Sequence, residues 1–94
     1  MANKNNFDVE GKVLHVGDVE YITAKFSKRV LVVEVPKGNW EEPVPFEFVN
    51  KNMFMLDQVS EGDHVLVNFQ IGGRQQKDKL VWFSKIEGRS VQRI

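Results

Sequence analysis

From Phe7 the chain alternates with period two. Phe7, Val9, Gly11, Val13 and His15 fall on one face, and Asp8, Glu10, Lys12 and Leu14 on the other. That pattern predicts a half-buried strand, ended by Gly17 and Asp18. A second, longer strand is predicted over residues 21–35, where the apolar run 30–33 suits a central strand covered on both sides. Pro36, Lys37, Gly38 and Asn39 read as a turn. A third strand follows over residues 40–49, with Val44, Phe46 and Phe48 alternating against Pro45 and Glu47. Pro43 and Pro45 donate no ladder bond, so the start of this strand is expected at a sheet edge.

The period then changes. Asn50 is a candidate helix cap, and Met53, Leu56 and Val59 fall at helical spacing, for a helix of at most about three turns. A fourth strand is predicted over residues 64–71, with Val65, Val67, Phe69 and Ile71 on one face. Gly72 and Gly73 open a polar loop that continues to Lys79, and a fifth strand covers residues 80–88. Residues 89–94 form a mixed tail, and the polar residues 1–6 are expected to be disordered. Phe46, Phe48, Phe54 and Phe69 are the expected aromatic core.

Three strands, a short helix and two strands predict an all-β fold: a five-stranded OB-fold (Greek-key) barrel with one short helix between strands 3 and 4. Closing the sheet into a barrel also removes the exposed edges that a flat sheet of this size would carry. An SH3-like barrel has shorter strands and lacks the inserted helix. The 94 residues are enough for one core, so residues 1–94 are read as a single OB-fold domain.

Composition removes several classes of function. There is no cysteine, hence no disulfide framework and no Cys-based zinc site. No apolar run approaches the roughly 18 residues that span a bilayer, and the N-terminus lacks a signal-peptide stretch, so an intracellular, cytoplasmic protein with no membrane partner is expected. His15 and His64 lie in separate predicted strands, adjacent Glu41 and Glu42 point to opposite faces, and Gly72-Gly73 is followed by no phosphate-loop lysine or helix. No enzyme, metal or cofactor is expected; a binding module is.

Net charge is 0, from 13 basic and 13 acidic residues. Its distribution is uneven. Residues 70–94 hold six basic groups (Arg74, Lys77, Lys79, Lys85, Arg89, Arg93) and two acidic ones, Asp78 and Glu87. The remainder is acidic, interrupted by Lys25, Lys28 and Arg29 on the second strand. In an OB barrel the nucleic-acid face lies on strands 2 and 3, flanked by the 1–2 and 4–5 loops. Both basic clusters fall on those elements. Single-strand binders also need ring faces on which bases stack. The candidates are Phe26, Trp40, Trp82, Phe83 and Tyr21. Trp82 and Phe83 point to opposite faces, so one is core and the other groove; if Ile86 and Leu80 mark the buried face, Phe83 is the groove residue. Trp40, beside a turn, suits either role.

The run at residues 22–29, Ile-Thr-Ala-Lys-Phe-Ser-Lys-Arg, with its apolar continuation, resembles the "ISxxFxKR" segment of domain-of-unknown-function family 3127. The likeness continues through Pro45-Phe46-Glu47-Phe48, Leu56-Asp57 and the stretch from Glu61 to Phe69. It ends in Ile71-Gly72-Gly73-Arg74 and Trp82-Phe83-Ser84-Lys85-Ile86, similar to the family's "NIRGRE" and "YFNxL" segments. The resemblance implies a small OB-fold protein like the single-stranded-DNA-binding proteins of bacteria and phages, with Phe26, Lys28, Arg29 and Arg74 as contacts. Gln75 and Gln76 stand where the family has an acidic residue and an aromatic, and the family's C-terminal tryptophan is replaced near residues 89–91.

The expected function is sequence-independent binding of single-stranded nucleic acid, DNA before RNA, in replication, recombination or repair. Lys28, Arg29, Arg74, Lys77 and Lys79 would neutralise phosphates; Phe26, Trp40 and one of Trp82 and Phe83 would stack bases. A homo-oligomer built through a strand edge would enlarge the site. The chain ends Val91-Gln92-Arg93-Ile94, with no acidic partner-recruiting tail. The rival reading is an OB-fold protein-interaction or assembly module without nucleic-acid affinity, which neutrality favours because non-specific binding is mostly phosphate electrostatics.

Overall fold

A computed structural model describes residues 4–94. The alternating N-terminal segment becomes β1 (Phe7–Val16). Its first half ladders onto β5 (His64–Gln75) and its second half onto β3 (Phe26–Lys37). One strand serves both neighbours because Gly11 lets the backbones cross: a Cβ there would collide with the Glu34 carbonyl and the Val33 side chain. A register shift between Val13 and His15 adds the bend. β4 (Trp40–Val49) pairs with β3 along its whole length, and β6 (Trp82–Arg93) pairs with β5. The sheet closes where β4 meets β6 in parallel, at Glu47 and Glu87. The circuit β1-β5-β6-β4-β3 and back to β1 is the closed five-stranded OB-fold barrel.

Several details correct the reading of the sequence. Residues 21–35 are not one strand. The chain turns at Ala24 and Lys25, and a short β2 (Glu20–Thr23) folds back on β3 outside the barrel. β2 is exposed at every position, so it has no buried face to mark it. The extra strand shifts the order, and the helix follows β4 rather than a third strand. The closing pair is parallel because β5 intervenes in sequence between β4 and β6.

The helix is a 3-10 helix (Asn50–Gln58). A 3-10 turn contains three residues, so positions i and i+3 eclipse. Met53, Leu56 and Val59 recur at that interval and are all buried, plugging one end of the barrel against β3, β4 and β6. Phe54 lies one position off the stripe and is 63% exposed; it is not core. Asn50 does not cap the helix. The cap position is Val49, without a side-chain bond, and Asn50 takes φ 49° while its Oδ1 accepts the Ser27 N–H at 3.1 Å.

Inside the barrel, Val13, Leu31, Val33, Phe46, Phe48, Val65 and Val67 are buried. Each aromatic or branched side chain contributes about 1.5–3 kcal/mol by leaving water. Phe69 is half-buried, its ring 5.4 Å from Phe46 and 5.7 Å from Phe7. The edge expected from the prolines is present: β4 is paired in the ladder with β6 only at Glu47, leaving residues 40–46 without a strand partner on that side.

The expected loop at Gly72 is instead ladder. β5 and β6 stay paired out to Gln75 and Trp82 and form an arm beyond the barrel. The tip is closed by Gln76 N–H on the Val81 carbonyl at 2.8 Å and Lys79 N–H on the Gln76 carbonyl at 3.2 Å. The mixed tail is also strand, paired with β5 as far as Arg93. Of residues 1–6, read as disordered, residues 1–3 lie outside the described residues. The Asn5 amide bonds both backbone groups of Ile71, at 2.8 and 2.9 Å, prolonging the β1–β5 seam.

Candidate functional site

Strand parity decides what faces outward. Leu31 and Val33 point into the barrel, so Lys28, Val30 and Val32 point out, with Phe26 on the same side. On β5, buried Val65 and Val67 turn Gln70, Gly72 and Arg74 outward. Their ladder partners on β6 are Glu87, Lys85 and Phe83. The β2–β3 hairpin stands on one side of this face and the β5–β6 arm on the other.

Between them lies a concavity of about 390 Å³ lined by Phe26, Lys28, Arg74 and Phe83, with Ile22, Glu47, Ser84 and Lys85 completing the walls. The Arg74 guanidinium carbon sits 6.0 Å from the centre of the Phe83 ring, at the outer range of a cation–π contact. Lys28 Nζ is 4.0 Å from Glu47 Oε1, and Lys85 Nζ is 3.2 Å from Glu87 Oε1. The Lys85 stem lies over Gly72, where a Cβ would stand 3.3 Å from Cε. Thus two aromatic rings and three cations share one groove, with two carboxylates tempering the charge.

Four of the nine residues singled out from the sequence meet here: Phe26, Lys28, Arg74 and Phe83. The other five lie elsewhere. Arg29 points inward at the barrel end, with its side chain 15% exposed. Its Nε–H donates to the Gly17 carbonyl at 3.0 Å and its Nη1 to Asp57 Oδ1 at 2.8 Å, joining the start of the β1–β2 loop to the helix. Trp40 is exposed at the far end of the β3–β4 hairpin, nine residues along β3 from Lys28, a separation of roughly 30 Å. Lys77 and Lys79 stand on the arm tip, beyond the groove. Trp82 shares the side of Ile86, as alternation requires, but β6 has left the barrel by then and Trp82 is 64% exposed. Leu80 precedes the strand and is exposed too, so it marks no buried face.

Ile22, Glu47, Ser84 and Lys85 line the groove without having been singled out for it. Lys85 was legible in principle, since it alternates with Phe83 on one strand; Ile22 was not, because the hairpin that places it leaves no sequence signal. Away from the groove, Glu42 has its carboxyl held below the usual range, first by the Trp40 Nε1–H bond at 3.3 Å and then by Lys37 at 3.3 Å. Among the described residues no group of three or more His, Cys, Asp or Glu could hold a metal, and no helix is long and apolar enough to cross a membrane.

The family model described as Domain of unknown function (DUF3127) matches residues 8–92. The chain belongs to this family. The DUF3127 match takes in every strand that forms the groove. No sequence match is found among curated proteins. Among solved structures, the dimeric N-terminal domain of PriB from Thermoanaerobacter tencongensis superposes with a TM-score of 0.69 at 15% identity, over 98% of each chain. The second single-stranded DNA-binding protein (SSBb) of Mycobacterium smegmatis gives 0.68 at 13% identity, over 97% of this chain and 87% of that one. A deletion mutant of the Thermus aquaticus single-stranded DNA-binding protein gives 0.69 at 14% identity, over 96% of this chain and 50% of that one. At these identities the likeness is one of fold: this DUF3127 protein is an OB barrel.

Proposed function

We propose that the protein binds single-stranded DNA without strong sequence preference, in the groove between the β2–β3 hairpin and the β5–β6 arm. The observation that carries the reading is the convergence of Phe26 and Phe83 with Lys28 and Arg74 in one concavity. Ring faces stack any base, at about 1–3 kcal/mol per base, and the cations neutralise phosphates regardless of sequence. The single-strand-binding proteins of the same fold support this reading. Lys77 and Lys79 on the arm tip extend the positive charge to one side. A second copy of the chain, as in the dimeric PriB domain, would lengthen the site. A role in replication, recombination or repair follows from such a substrate.

The test is fluorescence anisotropy of labelled oligo-dT over a range of salt. Binding is expected at low salt, with log K falling against log salt by about 0.7 per phosphate contacted. Phe83→Ala should weaken binding roughly tenfold, the cost of one lost stack. No anisotropy change at low salt would overturn the reading and favour a protein-binding module.

A further inference from the structure

A second concavity, of about 920 Å³, opens on the other part of the same β5–β6 face. Its walls include Lys51 and Asn52 from the helix, Asn68 and Gln70 from β5, and Arg89 and Ser90 from β6. No carboxylate is among its lining side chains within the described residues; Asp8 Oδ1 accepts from the lining Asn68 Nδ2 at 2.9 Å. Lys51 and Arg89 are exposed and form no ion pair among the described residues. They differ in this from Lys28 and Lys85, each of which sits against a carboxylate.

Arg89 owes its position to an irregularity. The β5–β6 register shifts so that Asn68 faces Ser90 while the next residue, Phe69, faces Gly88. Arg89 is the extra residue. A bulge of this kind turns a side chain out of the regular alternation. Gly88 turns inward, where a Cβ would strike the Phe48 ring, so Arg89 and Ser90 are presented outward together. The irregular residue is therefore a cation aimed into a polar hollow.

The outer face of β5 runs from one concavity to the other. Asn68, Gln70, Gly72 and Arg74 are successive outward positions of β5, and six residues of strand from Asn68 to Arg74 span roughly 20 Å. Gly72, the third of these positions, has no side chain of its own; the Lys85 stem and the Glu87 carboxylate lie over it, 3.3 Å (Cε) and 3.8 Å (Oε2) from where a Cβ would stand.

We infer that Lys51 and Arg89 form a second phosphate subsite, and that one polynucleotide runs from the Arg74–Phe83 groove along the outer face of β5 and β6 to reach it. This rests on the single-strand reading given above. The first subsite stacks bases and the second has amides and cations but no aromatic ring, so it grips backbone. Asn52 and Gln70 supply amide groups of the kind that hydrogen-bond phosphate or base edges, whereas the Asn68 amide is turned to Asn6 Oδ1, the Phe7 carbonyl and Asp8 Oδ1.

The experiment pairs Lys51→Gln/Arg89→Gln with the unaltered protein, against oligo-dT of about 4 and about 15 nucleotides, the range one OB barrel occupies. Both residues are exposed, and circular dichroism and thermal melting verify the fold. The inference expects the double variant to bind the long oligonucleotide at least tenfold more weakly. Its salt slope should be shallower by about 1.4, two phosphates' worth. The short oligonucleotide, held in the first groove, should bind equally to both proteins. An unchanged affinity and slope for the long oligonucleotide would overturn the second subsite while leaving the first intact. Equal losses on both lengths would overturn the division into two subsites. Failure of the unaltered protein to bind either length would overturn the single-strand reading itself.

Discussion

Gly88 lies directly under the Phe48 ring, beside the one point where β4 and β6 join. The barrel is sealed at that point by a backbone pressed against an aromatic face. A methyl group at residue 88 has no room, and overfilled cores lose about 1–3 kcal/mol. Gly88→Ala should therefore lower the melting temperature by several degrees, at about 4–8 °C per kcal/mol for a domain of this size. Gly62→Ala provides a contrast: nothing lies within 4 Å of its Cβ position, and any cost would come from its φ of 92° alone. Thermal melts of both variants check the difference; a Gly88→Ala melt equal to that of the unaltered protein would contradict the contact.

The groove carries its own brake. Glu47 sits 4.0 Å from Lys28 on the wall where phosphates are proposed to pass. Glu47→Gln keeps the shape and releases the lysine. Affinity for oligo-dT should rise several-fold, and the salt slope should steepen by about 0.7 as one more phosphate finds a cation. Anisotropy titration measures both. A weaker complex would mean that the Glu47 carboxylate is needed for binding.

Arg29 is expected to behave oppositely to Lys28. Its guanidinium is occupied by Asp57 and the Gly17 carbonyl. Arg29→Ala should cost about 1.5–3 kcal/mol of stability, the range for hydrogen bonds to charged groups. Binding per folded molecule should stay within twofold. Lys28→Ala should do the reverse, weakening the complex with little change in melting. Denaturant curves and titrations on the two variants separate structural from binding cations.

The Glu42 carboxyl, held low by Trp40 and Lys37, predicts a pH response at the far end of the barrel. A group with a depressed folded value contributes stability above its unfolded value and loses it as pH falls through the folded one. With Trp82→Phe leaving Trp40 as the sole tryptophan, acid titration of fluorescence should have its midpoint below that of Glu42 in a peptide covering residues 37–43. A midpoint at or above the peptide's would remove the hydrogen bond from the account.

Much of the barrel was readable because burial writes a period into the sequence. Phe46, Phe48, Val65 and Val67 each face inward where alternation predicts, whereas the run 30–33, expected to be covered on both sides, buries only Leu31 and Val33 and turns Val30 and Val32 outward because the barrel has a core on one face alone. Met53, Leu56 and Val59 announce the helix, and only their spacing of three tells that it is 3-10. What was not readable was the part that buries nothing. β2 is exposed throughout, and the turn at Ala24 and Lys25 contains neither glycine nor proline. Gly72 and Gly73 look like a loop because glycine usually is one; here their pairing with Lys85 and Ser84 holds them in a ladder without a core. Half of the site was legible for the same reason: Phe26, Lys28, Arg74 and Phe83 lie on strands whose parity is set by buried neighbours. Arg29, one residue from Lys28, belongs to the opposite face and goes to the barrel end.

The unpaired stretch of β4 has a consequence for how copies of the protein coexist in a crowded solution. A strand that lacks a neighbour on one side is normally a template for cross-β growth. Pro43 and Pro45 occupy alternate positions, so both ring nitrogens point to the same side, and the unbroken ladder to β3 puts that side on the open edge. An incoming strand would find carbonyls without matching donors at consecutive contact points. Edge-to-edge pairing along residues 43–45 is thereby disfavoured, and that stretch of β4 is a poor template for a second copy.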